Sequence, residues 1–133
     1  MTTLINLTPH SITIIGPSDI VIPSVGLARV RTASEPVGSL YVCGQHVLVV
    51  GSKAERVVTD GILSKDGEWV RQTEECTLPE TAQSHSGQVV YIVSSVVASH
   101  NSIRGRMDVL VPGDLVRDDA GNVIGCRTLT RIL

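Results

Sequence analysis

Gln88-Val-Val-Tyr91-Ile-Val-Ser94-Ser95-Val-Val-Ala-Ser-His100, running on through Asn101-Ser-Ile-Arg104-Gly-Arg106-Met-Asp108 into Val109-Leu-Val-Pro-Gly113, is the stretch on which the fold turns. Its first six residues are dense in β-branched side chains and end abruptly in small polar ones. That pattern predicts a buried strand feeding a turn or a short helix over Ser94–Asn101. Two arginines flanking a glycine follow, and then a second apolar strand. Polar groups at the end of a strand, followed by a cationic loop, are a common setting for a binding site.

Outward from this centre, the C-terminal side predicts a hairpin. Asp114–Asp118 and Val123–Ile132 flank Asp119-Ala-Gly121-Asn122, whose Gly and Asn suit the positive φ angles of a tight loop. Val123 and Leu129 share one face and Ile124 and Ile132 the other, so both faces of this strand are expected to pack. On the N-terminal side, Leu4–Ile15 reads as a strand interrupted at Thr8-Pro9, because proline cannot donate to a ladder. Short strands are predicted at Ile20–Pro23 and Leu27–Thr32, with a loop opening at Glu35-Pro36. Leu40–Cys43 and Val47–Val50 form a hairpin around Gly44. Further strands are expected at Val57-Val58 and Glu68–Val70, joined by a Lys65-Asp66-Gly67 turn. Thr73–Gly87 is polar and is expected to be a surface loop, with Pro79–Ser84 a weaker helical candidate. The fold class is therefore α+β, mostly antiparallel meander and hairpins with one short helix, in a single domain over residues 1–133.

The totals agree with this. The chain has 133 residues, enough for one core, and 42% of them are hydrophobic while only 2% are aromatic. The core must be built from Val, Ile and Leu, which favours strands. A net charge of −2 without a basic run argues against a dedicated nucleic-acid binder. No apolar run reaches the length of a membrane span, and the opening residues lack the charged and apolar regions of a signal peptide. Cys43, Cys76 and Cys126, odd in number and widely spaced, suit free thiols in a reducing cytoplasm.

Opening Asn6-Leu-Thr-Pro-His10, the strand Tyr91-Ile-Val-Ser94, and closing Val116-Arg-Asp-Asp-Ala-Gly-Asn-Val-Ile-Gly-Cys126 together resemble a family of small phage and prophage proteins. The resemblance is carried by the two ends of the chain and lends no catalytic residues. It implies a setting, the cytoplasm of an infected or lysogenic bacterium, where small proteins often act in host takeover or anti-defence.

Several residue sets carry possible chemistry. Ser94 or Ser95 with His100 and Asp108 supplies the residue types of a hydrolase triad, but without a nucleophile-elbow pattern around either serine. A helix-capping serine and a surface histidine are the plainer account. His10, His46, His85 and His100 with the three cysteines show no metal-ligand spacing, so no metal and no cofactor is expected. Asn6, Thr8 and His10 point one way along an alternating strand, which suits a ligand surface or, more simply, a hydrogen-bonded edge. Arginine supplies nine of the eleven basic residues, and its planar fork matches phosphate and carboxylate. Surface ion pairs account for most such arginines; Arg104-Gly-Arg106 is the exception, because glycine allows a close backbone approach. The ligand-binding set expected from sequence is Arg104, Arg106, Ser94, Ser95, Tyr91, His100 and His10. The corresponding function is non-enzymatic sequestration of a small anionic molecule such as a nucleotide, with a homo-oligomer possible. The alternatives are a structural or protein-interaction module that assembles through strand edges, and a hydrolase. The scarcity of aromatic stacking partners counts against a nucleotide.

Overall fold

A computed structural model describes residues 2–63, 68–79, 83–84 and 87–133. The described residues form ten strands, β1 (Thr2–Asn6), β2 (Ile12–Ile14), β3 (Ile20–Ile22), β4 (Ala28–Val42), β5 (Gln45–Leu63), β6 (Trp69–Thr77), β7 (Gln83–Ser84), β8 (Gly87–Ile92), β9 (Val109–Arg117) and β10 (Val123–Thr130). One helix, α1 (Ser95–Ala98), follows β8. The predicted Lys65–Gly67 turn and most of Pro79–Ser84 lie outside the described residues.

Strand dominance, the short helix and a majority of antiparallel pairings among the described residues match the sequence reading, but the main sheet is not a meander. The main sheet is mixed, in the order β1-β8-β9-β10-β2-β3, with β7 beside β8. β8 runs parallel to both β1 and β9, and β10 parallel to β2. Parallel neighbours need a crossover of a dozen or more residues. Between β8 and β9 that crossover is α1 with the turns that follow it. An isolated parallel bridge joins Asn6 to Ser24, so the sheet curls almost shut into a barrel. A strand with parallel partners on both sides is buried on both faces, which explains the unbroken apolar run from Val89 to Val93.

Alternation along β8 divides the core. Val89, Tyr91 and Val93 pack with Ile5, Leu7, Val97, Ile103 and Val109 on one face. Ile92 faces Ile12, Ile22 and Cys126 on the other. Each fully buried aliphatic contributes about 1.5–3 kcal/mol. Cys126 is a small hydrophobe here, and burial pushes its thiol pKa up, partly offset by a hydrogen bond from the Gly113 backbone. No disulfide joins Cys43, Cys76 and Cys126, and the Cys76 thiol donates to the Gln72 side-chain oxygen at 3.2 Å.

The final hairpin forms as expected, but its packing begins one step later. Val123 and Ile124 are exposed, whereas Cys126 is buried and Leu129 and Ile132 are partly covered. The ladder shifts register between Val123 and Gly125. At Gly125 the neighbouring strand comes so close that a Cβ would sit 2.7 Å from the Thr13 carbonyl oxygen.

The second sheet, β4-β5-β6, departs furthest from expectation. Glu35-Pro36 does not open a loop. β4 runs through it, with irregularities at Arg31/Thr32 and Pro36/Gly38. Proline is tolerated because β4 pairs only with β5 and the residue sits at a register shift, where a missing N–H breaks no ladder. Thr73–Thr77 is likewise strand rather than loop, paired to β5 through Val58↔Thr77 and Thr59↔Cys76.

Candidate functional site: a projecting ribbon and the corner after β8

Ser94 caps α1 in extended backbone geometry, its hydroxyl accepting from the Val97 amide at 3.4 Å. Ser95 is exposed, and its carbonyl accepts from the Ser99 hydroxyl. His100 pairs through Nδ1 with the Ser102 hydroxyl at 2.8 Å. Asp108 accepts both Nε and Nη2 of Arg106, at 2.8 and 2.7 Å, and Nη2 of that arginine also reaches the Pro79 carbonyl. Both members of this pair are only 15% exposed. The residue types of a triad are therefore committed to separate neighbours.

Tyr91 lies in the core, and among the described residues its hydroxyl has no hydrogen-bond partner. Burial, and then the charge of Asp108, push its pKa up to about 12, with Arg106 pulling the other way. The fold thus brings Tyr91, Arg106 and Asp108 together, but as a neutralised internal cluster. Arg104 sits apart from it, exposed on the loop beside Gly105. His10 lies on another surface, beside Ile12, Pro112, Leu115 and Ile124 in an open apolar groove of about 340 Å³.

The Asn6, Thr8 and His10 cluster is internal wiring. Asn6 is fully buried, donates Nδ2–H to the carbonyls of His10 (2.9 Å) and Ile22 (3.0 Å), and accepts from the Thr8 amide and hydroxyl. The Ser24 hydroxyl donates to the Thr8 carbonyl at 2.6 Å. One amide therefore ties together the loops after β1 and β3. Three arginines elsewhere are also paired with acids. Arg29 and Arg31 both pair with Glu75, and Arg71 approaches Asp60 at 3.7 Å. Among the described residues, no three His, Cys, Asp or Glu side chains gather where they would hold a metal. Among the described residues no helix is long and apolar enough to cross a membrane.

Sequence reasoning placed the Gly44 hairpin but missed the length and exposure of the distal part of β4–β5. Among the described residues β6 covers β5 between Val58 and Leu63 and no third strand pairs with residues 33–53, which form a two-stranded ribbon. Ten residues of β4 and nine of β5, at about 3.3 Å each, make it roughly 30 Å long. Its tip is a two-residue turn in which Cys43 (φ 49°) and Gly44 (φ 80°) both have positive φ, as a type I′ hairpin requires. Leu40, Tyr41 and Leu48 are 58%, 69% and 63% exposed, and Val37, Val42, Val47 and Val50 are exposed beside them. Tyr41 and His46 meet edge to face across the ribbon, ring centroids 4.9 Å apart. The missed signal was two apolar runs with hydrophobic residues at both odd and even positions, where a ribbon against one core needs only one face apolar.

Comparison with protein-family models, with curated proteins and with solved structures gives no match, so the geometry of the chain itself carries the functional argument.

Proposed function

We propose that this protein is a non-enzymatic interaction module, of the kind an accessory phage protein uses in assembly, whose working element is the ribbon over residues 33–53. The observation that carries this reading is the ribbon's exposed apolar surface. Contiguous exposed apolar surface of this kind marks a contact for another macromolecule, and a lone two-stranded hairpin is marginally stable in water. The partner is a protein rather than a nucleic acid. The ribbon's only formal charges are Glu35 and Lys53, whereas a phosphate backbone is bound through lysine and arginine.

Sequestration of a small anion finds less support. Arg106 is neutralised by Asp108, Tyr91 is interior, and His10 belongs to a different surface. The test is a photo-cross-linking side chain placed at Tyr41 or Leu48 in cells expressing the full chain. The control position is Val96, which is 70% exposed on α1. Defined cross-linked products at the two ribbon positions and none at Val96 are expected. Ribbon positions no more reactive than Val96 would overturn the proposal.

A further inference from the structure

The two long edges of the ribbon are unlike. A two-residue turn makes the pair that flanks it, Val42 and Gln45, exchange both backbone hydrogen bonds. Backbone direction alternates from there, so Gln45, Val47 and Val49 turn their N–H and C=O groups in towards β4. His46, Leu48, Val50 and Ser52 turn theirs out, to the side of β5 on which β6 pairs further along, between Val58 and Leu63. Among the described residues, no strand lies on that side beside residues 46–52. The outer edge of β4 is blunted. Pro36 stands opposite the outward-turned Val50, so the N–H that proline lacks is one that would have faced outward, and the extra residue Val37 bends the strand at the same place. Proline, bulges and charged side chains are the means by which proteins close an edge to further strands. From Gln45 to Ser52, β5 has no proline, no Lys, Arg, Asp or Glu, and no extra residue in its ladder. One edge is closed and the other is open.

Resting on the reading that the ribbon is an interaction element, we infer that β5 takes a third strand along this edge, an extended segment of a partner protein paired backbone to backbone with residues 46–52. A row of unpaired N–H and C=O groups is a template for such pairing, in which main-chain bonds give affinity and flanking side chains give selectivity. Seven residues at about 3.3 Å each span roughly 23 Å, the length of an ordinary strand. The added strand lies next to Val47 and Val49 on one face and to His46, Leu48 and Val50 on the other. Its own side chains are therefore apolar and β-branched at successive positions, and it contains no proline. A third strand also accounts for apolar residues on both faces of the ribbon, since packing against a single surface needs only one such face. It turns a marginal two-stranded hairpin into the smallest sheet that is stable in water.

The probe is a library of random linear peptides, about nine residues long to match an ordinary strand, from which the full chain selects binders. Amide hydrogen exchange followed by NMR then reads the complex residue by residue. The amides of His46, Leu48, Val50 and Ser52 should exchange freely in the chain alone and be protected about tenfold or more by a bound peptide. Leu48→Pro removes one outward donor, whereas Leu48→Ala removes the same side chain and keeps the donor. The proline variant should bind about tenfold more weakly than the alanine variant. Ser39→Pro, on the blunted edge of β4, should bind as the parent does. Binding that survives Leu48→Pro, or is lost in Ser39→Pro instead, overturns the inference. So do four amides that are protected in the chain alone and lose that protection on dilution, because a second copy then fills the edge. The remaining failures separate the two readings. A peptide that perturbs Tyr41 and Leu48 but leaves the four amides unprotected uses the ribbon's side chains, so strand addition alone is wrong. A library without binders likewise removes strand addition alone, because cross-linking from Tyr41 and Leu48 judges the ribbon by itself. Peptides that leave residues 33–53 unperturbed take the interaction reading down as well.

Discussion

Asn6→Asp replaces one buried NH₂ group by oxygen and leaves the side chain's shape unchanged. The two carbonyls that Asn6 serves, His10 at 2.9 Å and Ile22 at 3.0 Å, would then face a carboxylate oxygen. Each buried acceptor that loses its donor costs about 1–3 kcal/mol. The Thr8 amide and hydroxyl still donate to the other oxygen and bind a charged group more strongly, which offsets part of the loss. A net destabilisation of about 3–5 kcal/mol follows, a large share of the 5–15 kcal/mol typical of a domain. For a chain of this size it corresponds to a fall in Tm of roughly 10–20 °C near neutral pH. The pH dependence has a definite sign. Surrounded by acceptors, the new carboxyl holds its proton in the folded state above the usual carboxylate range, and once protonated it donates one of the two lost bonds. A raised folded pKa stabilises at low pH, and that stabilisation disappears as pH rises. The Tm gap between parent and variant should therefore narrow as pH falls from 7 towards 4. Circular dichroism melts of both proteins across that range make the measurement. A variant within about 3 °C of the parent at pH 7, or a gap that widens on acidification, would refute the assignment of this amide as the tie between the β1 and β3 loops.

Arg106→Ala strands the Asp108 carboxylate at 15% exposure and should cost about 2–3 kcal/mol, while Arg104→Ala on the open loop should stay within about 0.5 kcal/mol; urea unfolding of the two variants compares them. Tyr91→Phe removes a buried hydroxyl that has no partner, so stability at pH 7 should be unchanged or higher by up to about 1 kcal/mol. The phenol's pKa of about 12 in the folded state, raised from 10.0, gives stability that is present below pH 10 and lost as pH rises towards 12. Alkaline unfolding should accordingly be shallower in the Tyr91→Phe variant over that window, followed by far-UV circular dichroism. Gly26→Ala should destabilise by about 1–3 kcal/mol, because the added Cβ would lie 2.5 Å from Asp60 Oδ1 and 2.8 Å from Trp69 Nε1; Gly16→Ala, where the nearest atom is 3.9 Å away, is the control for a thermal melt.

Local chemistry made part of this fold legible. The Gly44 turn, the Gly121-Asn122 loop and the short helix behind Ser94 each depend on a few consecutive residues, and each forms where the sequence places it. The parallel pairs were not legible. β1 meets β8 across more than eighty residues of chain, and two apolar runs carry no label for direction. Arg106 illustrates the limit at the candidate site. Asp108 stands two residues away in sequence, but only the turn before β9 brings the two side chains into a bidentate pair. Asn6 was closer to legible. Asn-x-Thr-Pro is a signature of a side chain folding back on its own backbone, and the Thr8 amide does donate to Asn6. That its amide also reaches across to the Ile22 carbonyl required the sheet to close.

The ribbon completes the physical argument, because it and the body are stabilised by different means. Ordering a residue costs about 1–2 kcal/mol of backbone entropy, and a backbone hydrogen bond returns only about 0.5–1.5 kcal/mol. In β8 the difference is made up by burial, with Val89, Tyr91, Ile92 and Val93 at zero exposure. Beyond Ala33 nothing comparable occurs within the chain, since nearly every side chain from Ser34 to Lys53 is exposed. The type I′ turn at Cys43-Gly44 sets the register of the two strands but buries no surface. On the proposed reading, a partner that covers the ribbon's exposed apolar side chains supplies the energy that holds it in shape. Contact and order in the ribbon are therefore a single equilibrium, and a substitution at Leu40 or Val47 acts on that equilibrium without reaching the core around Tyr91.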